Sequence, residues 1–438
     1  MSQQRTMGIL VGGGPAPGIN SVIGAATIRA ALQGYSVLGI EDGFEWLMQG
    51  DSRHTRPLTI DGVSRIHFRG GSHIGIARAN PTTSPEHLEK TVHALLDMNV
   101  TQLITIGGDD TAYSAMRLEE TAGGRIQIVH VPKSIDNDLD LPHTVDTFGY
   151  QTARHVGVEI LKNLMVDART TSRWYFVIAM GRKAGHLALG IGKAGGATIT
   201  LIPEEFRRQP VELKRPADTL VGSILKRRAE GRKDGVAVIA EGVGLVLDPL
   251  SLEHFEEIER DAHGHLRLDE LNLGELLKRE VHSRLKALGL KTTIVAKNIG
   301  YELRCADPIP FDMEYTRDLG YCAARYLIEG GNAAMVSIQA GHFVPVPFDR
   351  LRDPETGRAR VRMVSIESTR YAIARRYMIR LRRDDFRDPQ HLAKLAAEAG
   401  ATVAEFRRQF EYLTDDEPPP LDLTAPAEPE SRAAVTGP

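Results

Sequence analysis

Cysteine is nearly absent: Cys305 and Cys322 are the two in 438 residues, and their spacing matches no disulfide or metal framework. That points to a reducing cytoplasm. No apolar run approaches the roughly 18 residues of a membrane span, and Met1 to Thr6 is too polar to begin a secretory signal. Net charge is also scarce, a formal -3 with acidic and basic residues interleaved, so nothing pulls the chain as a whole toward nucleic acid or membrane. The expectation is a soluble cytoplasmic protein, long enough for two domains with large cores.

What the chain has instead is glycine beside carboxylate at the ends of short apolar runs. Met7-Gly8-Ile9-Leu10-Val11 leads into Gly12-Gly13-Gly14-Pro15-Ala16-Pro17-Gly18, after which Val22, Ile23 and Ala26 begin a helical stripe that stops at Gly34. Strand, glycine loop, helix is an order that lets a phosphate approach backbone N–H groups and meet a helix N-terminus. On its own the loop is equally a tight structural turn, because its spacing exceeds the dinucleotide fingerprint and no Gly-Lys-Ser/Thr ending makes it a Walker loop. A second glycine-rich loop, Gly70 to Ala77, ends in Arg78, either a phosphate fork or a surface arginine.

Two further loops carry the densest chemistry. Leu103-Ile104-Thr105-Ile106 precedes Gly107-Gly108-Asp109-Asp110-Thr111, and Ile126-Gln127-Ile128-Val129 precedes Val131-Pro132-Lys133-Ser134-Ile135-Asp136-Asn137-Asp138. Each reads as a loop at the carboxyl end of a buried parallel strand, where open α/β sheets place their ligands. Asp109, Asp110, Asp136 and Asp138 beside Lys133 would repel one another unless a cation, or an anion carrying a cation, sat among them. A magnesium-bound phosphate is the natural guest. Taken singly, each aspartate would favour capping or turn chemistry.

The alternation of strands and helices through residue 150 argues for a doubly wound parallel sheet. A long helical pattern through Val156, Ile160 and Leu164 then crosses into a second α/β set. It comprises Trp174 to Met180, Thr198 to Pro203, a helix with Leu220, Val221, Ile224 and Leu225 on one face, and Gly235 to Gly242 with Glu241 at its end. The expected organisation is an α/β domain over 1–150 with a return segment near 303–360, a second over 151–302 with about 361–412, and a disordered tail over 415–438. Residues 245–275 read as a charged, helical surface insertion in which His263-Gly264-His265 is more simply a polar loop than a metal site, and the basic run Tyr377 to Arg383 reads as a solvated face.

Together, Gly12 to Gly18, Gly107 to Thr111, Pro132 to Asp138, Met180-Gly181-Arg182 and Tyr301 to Arg304 resemble the phosphofructokinase family, over roughly residues 7–345. The resemblance implies two doubly wound α/β domains with the active site in the cleft between them, and reversible, Mg2+-dependent phosphorylation of fructose 6-phosphate at its 1-hydroxyl. It implies Asp136 as the base, Ser134 near the transferred phosphoryl group, and Asp109 with Asp138 at magnesium. It places Met180, Gly181, Arg182 and Glu241 on the sugar and Tyr301 with Arg304 around its 6-phosphate. Gly14, Arg78, Thr111 and Lys133 fall on the donor side. Arg173 resembles a residue that the family lends across a subunit interface, which implies a homo-oligomer, at least a dimer.

Asp110 stands where ATP-dependent members usually have glycine, and its bulk and charge oppose a nucleotide. With Lys133 it resembles the pyrophosphate-dependent enzymes, so pyrophosphate is the expected donor. An ATP-dependent enzyme that tolerates Asp110 is the first alternative, and a non-catalytic sugar-phosphate sensor the second. Two departures stand out: Pro15 replaces the Asp of many bacterial relatives, and Val295 falls where short ATP-dependent relatives place a phosphate-binding Arg, with Lys297 nearby.

Overall fold

The computed structural model describes residues 5–142, 145–252, 271–351, 360–419 and 421. The wholly buried run β1 (Thr6–Val11) is followed by the glycine loop and α1 (Ile19–Ala31). Next come β2 (Ser36–Ile40), β3 (Thr55–Leu58), α2 (Ile60–Val63) and α3 (Pro85–Asp97). Ser84 caps α3 by accepting the His87 N–H at 3.2 Å, with Pro85 in the first turn, where its missing N–H costs nothing. β4 (Val100–Gly107), α4 (Asp109–Ala122), β5 (Gln127–Ser134) and the short β6 (Phe148–Gly149) complete the first pass.

The chain then crosses on α5 (Tyr150–Thr171) to β7 (Trp174–Ala179), α6 (His186–Gly195), β8 (Ile199–Leu201), α7 (Lys214–Ala229), β9 (Gly235–Ala240), α8 (Leu273–Ala287) and β10 (Ile294–Ile299). The single turn α9 (Tyr301–Arg304) and α10 (Pro310–Ile328) lead back to β11 (Ala334–Met335). A small hairpin, β12 (Ile338–Gln339) with β13 (His342–Phe343), precedes β14 (Val346–Pro347).

The first sheet runs β14-β11-β5-β4-β1-β2-β3, with β6 beside β5. Its interior is parallel, and the edge strands β3 and β14 are antiparallel, a common variation on a doubly wound sheet. From β1 the chain moves to β2 on one side and later to β4 on the other. The carboxyl ends of β1 and β4 therefore flank a topological switch point, the place where such sheets open a crevice. The second sheet, β10-β7-β9-β8, is parallel throughout.

One apolar cluster joins the facing layers of both sheets, running from Ile9 and Val131 through Leu161 and Ile191 to Val177 and Val238. Outside it, α3 and α4 cover the first sheet with Leu88, Val92, Leu95 and Leu118. On the second sheet, α7, α8 and helices between 383 and 410 bury Leu220, Leu277, Leu395 and Phe406.

Several expectations are corrected. β5 continues through Ser134, so Lys133 and Ser134 lie on a strand, and Asp109 and Asp110 open α4 instead of lying in a loop. The described ends of the 245–275 segment are core: Leu247, Leu252 and Leu273 are buried. Its middle, His263 and His265 included, lies outside the described residues. In the basic run, Met378, Arg380 and Leu381 are buried, Arg380 Nη1 bonding Glu205 Oε2 at 2.9 Å, so that stretch is no solvated face. The expected tail begins on the body: Asp416 pairs with Arg215 at 2.7 Å and Glu417 accepts the Arg383 N–H at 2.7 Å. Both cysteines are free.

Candidate active site

The glycine loop is tied to its neighbours by main chain. The Gly12 N–H donates to Ile106 O at 2.9 Å and the Gly13 N–H to Ala77 O at 3.0 Å, which brings exposed Arg78 beside the loop. Beneath it lies Thr111, buried in the first turn of α4. A Cβ on Gly12 or on Gly107 would collide with the Thr111 side chain, so glycine there is a packing requirement. Thr111 is thus the floor under the loop. Lys133, reaching up from β5, donates from Nζ to Gly14 O at 2.6 Å. Burial pushes its ammonium down to about 8, against the pull of Asp136.

Past the end of β5 the chain turns sharply. Ser134 Oγ donates to Asp138 Oδ1 at 2.6 Å and accepts the Asp136 N–H at 3.1 Å, while Asn137 takes a left-handed φ of 57°. Asn137 tolerates that conformation because its own amide is bonded, Nδ2 to Asp146 Oδ1 at 2.9 Å and Oδ1 from the Thr147 N–H at 3.0 Å. The turn sets Asp136 and Asp138 on either side of it. Asp136 Oδ1 is buried with no hydrogen-bond partner. Burial first, and the Asp138 charge second, push the Asp136 carboxyl up to about 7. Asp138 is raised for the same leading reason, opposed by the Ser134 bond.

The second sheet supplies the opposite wall from the carboxyl ends of β7, β9 and β10. Met180, Gly181 and Arg182 follow β7, and the Gly181 and Arg182 N–H groups both donate to Glu241 Oε1, at 3.1 and 2.6 Å. Glu241, first residue after β9, thereby fixes the turn, in which Arg182 has a φ of 50°. Arg182 crosses the cleft: Nη1 lies 2.6 Å from Asp109 Oδ1 and Nη2 3.9 Å from Asp110 Oδ2. Burial opposes its charge, but Asp109, Asp136 and Asp138 together hold its guanidinium above the ordinary value. Gly300, after β10, leaves room for Met180. Arg304 stacks over the exposed Tyr301 ring at 4.5 Å, and its Nη1 lies 3.3 Å from where a Cβ on Gly14 would stand, so these residues adjoin the glycine loop.

Arg173 stands apart from the other residues that the sequence singles out. It precedes β7 at its amino end, six strand residues from Met180, and faces Asp167 at 3.7 Å. It does not reach the cleft of its own chain.

Two residues near the site carry no sequence signal that singled them out. His130, wholly buried on β5, bonds Thr105 Oγ1 through Nδ1 at 2.9 Å and Gly107 O through Nε2 at 3.0 Å. Arg362 lies beyond the recognisable motifs, in an alternating Val361-Arg362-Met363 stretch, yet it is buried against the 137–145 turn and bonds five of its oxygens. The alternation of Val361, Arg362 and Met363 reads as an extended segment with the apolar pair inward, whereas the structure exposes that pair and buries Arg362, so the pattern pointed the wrong way.

A crevice with a raised, unpartnered carboxyl, a lysine against a glycine loop and an arginine across from them suits transfer of a phosphoryl group to a hydroxyl. Among the described residues no three His, Cys, Asp or Glu side chains converge as a ready-made metal cage. Magnesium needs none, because it commonly takes one or two carboxylates and completes its shell with phosphate and water. Asp109 and Asp138, near enough for the charge of one to raise the other, and the orphaned Asp136 oxygen fit that requirement.

Residues 6–327 match the family model described as Phosphofructokinase. The pyrophosphate--fructose 6-phosphate 1-phosphotransferase of Thermotoga maritima is 51% identical over 414 residues, 93% of this chain and 99% of that protein. The protein of the same name from Naegleria fowleri is 50% identical over 93% of this chain and 95% of its own. A crystal structure of pyrophosphate-dependent phosphofructokinase from Marinobacter aquaeolei superposes with a TM-score of 0.63 at 17% identity, covering 91% of this chain and 92% of that one, which speaks to the fold.

Proposed function

The chain belongs to the phosphofructokinase family, and we propose that it moves a phosphoryl group from pyrophosphate to the 1-hydroxyl of fructose 6-phosphate, reversibly and with magnesium. The observation that carries the chemistry is Asp136: a buried carboxyl, pushed up to about 7, with one oxygen left without a partner. A group so placed is able to take the hydroxyl proton as the new P–O bond forms and orthophosphate leaves. The names of the relatives at 51% and 50% identity support pyrophosphate as donor.

The other residues take their parts around that base. Gly14, Arg78, Thr111 and Lys133 make the donor side, with the Lys133 ammonium fixed under the loop at Gly14. Ser134 orients Asp138, and Asp109 with Asp138 would hold magnesium, which supplies positive charge to the phosphate oxygens when bound. Arg182 balances the charge of the same carboxylates from the sugar side, where Met180, Gly181 and Glu241 shape the wall. Tyr301 and Arg304 flank the sugar's 6-phosphate. Asp110, exposed at the mouth, excludes the bulkier nucleotide. The first sheet, with residues 1–150 and the 303–360 return, is the donor domain, and 151–302 with 361–412 is the sugar-phosphate domain.

Arg173, remote from its own cleft, is lent to a partner copy, so the working enzyme is at least a dimer. Among the described residues no helix is long and apolar enough to cross a membrane. The deciding assay is formation of fructose 1,6-bisphosphate with magnesium and either pyrophosphate or ATP. Pyrophosphate is expected to support turnover well above ATP; equal or better use of ATP would make the chain an ATP-dependent phosphofructokinase, and no turnover with either would make it a sensor.

A further inference from the structure

The turn that presents Asp136 and Asp138 has a left-handed residue, Asn137, at its centre, and that residue is held from an unexpected direction. Resting on the phosphoryl-transfer reading above, we propose that Arg362 is a positioning residue for that reaction: its guanidinium locks the Asn137 turn and so fixes where the base and the metal-side carboxylate point.

The geometry is specific. Arg362 is buried, and its Nε and Nη2 fork onto Asn137 O at 3.1 and 3.0 Å while Nη2 also bonds Asn137 Oδ1. Its Nη1 gathers Leu141 O, Pro142 O and Val145 O at 3.1, 3.0 and 2.9 Å. Its main-chain N–H donates to Asp138 O at 2.7 Å, and Val361 bridges Leu139 in antiparallel fashion. These acceptors of the guanidinium all lie between Asn137 and Val145. Burial lowers its pKa, with Asp146 and Asp138 opposing.

A planar cation with five N–H donors meets such a set of carbonyls where no other side chain would. It touches neither reacting carboxylate, so its effect on chemistry must pass through the backbone on either side of Asn137. The same short segment is anchored to the second sheet's layer: His186 Nε2 pairs with Arg362 O at 3.1 Å, and the Val364 N–H donates to Glu204 Oε1 at 2.9 Å. The strap thus runs from the catalytic turn to the elements that build the sugar wall, and it sets the turn relative to that wall.

A misplacement of about 1 Å costs on the order of 100-fold in rate, so a loosened turn lowers kcat more than it lowers affinity. The test is steady-state kinetics with pyrophosphate and fructose 6-phosphate on the full chain, with thermal unfolding alongside. Arg362→Lys keeps the charge and loses the fork; its kcat is expected to fall roughly 10- to 100-fold with both KM values within about threefold of the unmodified chain. Asn137→Gly keeps the left-handed backbone free of strain but removes the Oδ1 acceptor, and is expected to lose kcat by a smaller factor. Because Asn137→Gly also loses the bonds to Asp146 and Thr147, Arg362→Gln, which keeps two N–H donors for Asn137 O, carries the test if Arg362→Lys does not fold.

Because the two act as one unit, the double variant should be little worse than Arg362→Lys alone. Unchanged kcat in both variants, or losses that multiply independently in the double variant, would overturn the proposal. So would a fall in kcat tracked by a matching rise in both KM values. Failure of the unmodified chain to use pyrophosphate would instead refute the functional reading.

Discussion

Arg182 Nη1 lies 2.6 Å from Asp109 Oδ1, and this ion pair spans the cleft between the two sheets. An arginine that follows β7 of the second sheet therefore meets a carboxylate that opens α4 of the first within the chain itself. The pair is half-exposed on the Arg182 side, so its worth lies in orientation more than in fold stability. Arg182→Lys preserves charge but not the planar fork that also approaches Asp110. Its expected outcome is a loss of about 10- to 100-fold in kcat/KM for fructose 6-phosphate, with a melting temperature close to that of the unmodified chain. Undiminished kcat/KM in steady-state assays would place Arg182 outside the reaction.

Asp136→Asn removes the proposed proton acceptor and little else. The side chain is buried, one oxygen has no partner, and desolvation already disfavours its charged form, so the amide is isosteric and electrostatically easier to bury. Turnover should fall by about 10² to 10⁴ while stability holds or rises. Product formation and a denaturant midpoint, measured on the same preparation, separate those effects; near-normal turnover would remove Asp136 from the mechanism.

Asp110 is proposed above to select the donor, and its place in the first turn of α4 gives it a second task. A carboxylate there complements the positive end of the helix. Asp110→Gly should thus destabilise the chain by no more than about 1 to 2 kcal/mol. Weaker use of pyrophosphate and some turnover with ATP are expected together. If the ratio of the two kcat/KM values does not move, the side chain plays no part in donor choice.

The general design was legible because it is written in local patterns. Apolar runs ending in glycine or a carboxylate marked the carboxyl ends of β1, β4 and β9, and the switch point followed once β1 and β4 proved to be neighbours. What escaped depends on contacts distant in sequence. Arg362 reaches the Asn137 turn across more than two hundred positions, and its own neighbours carry no motif. Arg380 reads as one more surface cation until its pairing with Glu205 is seen. The end of β5 is hidden because Pro132 and Lys133 resemble loop residues locally, whereas pairing with β4 and β6 carries the strand through them.

His130 offers a test of the buried frame beneath the site. Gly107 O is able only to accept, so His130 Nε2 carries the proton and Nδ1 accepts from Thr105. Desolvation, in a wholly buried position, lowers this imidazole to about 3 from an unperturbed value near 6.5. Between those values the unfolded chain binds a proton that the folded chain does not. Stability contributed by neutral His130 is therefore complete above about pH 6.5 and is lost as pH falls toward 3, at roughly 1.4 kcal/mol per pH unit. His130→Gln retains a donor for Gly107 O and an acceptor for Thr105 without a titrating group. Urea midpoints at pH 7 and pH 5 should show the variant losing about 2 kcal/mol less than the unmodified chain over that interval. Parallel losses in the two proteins would mean that His130 binds its proton in the folded chain as readily as in the unfolded one, with Thr105 turning to accept from Nδ1.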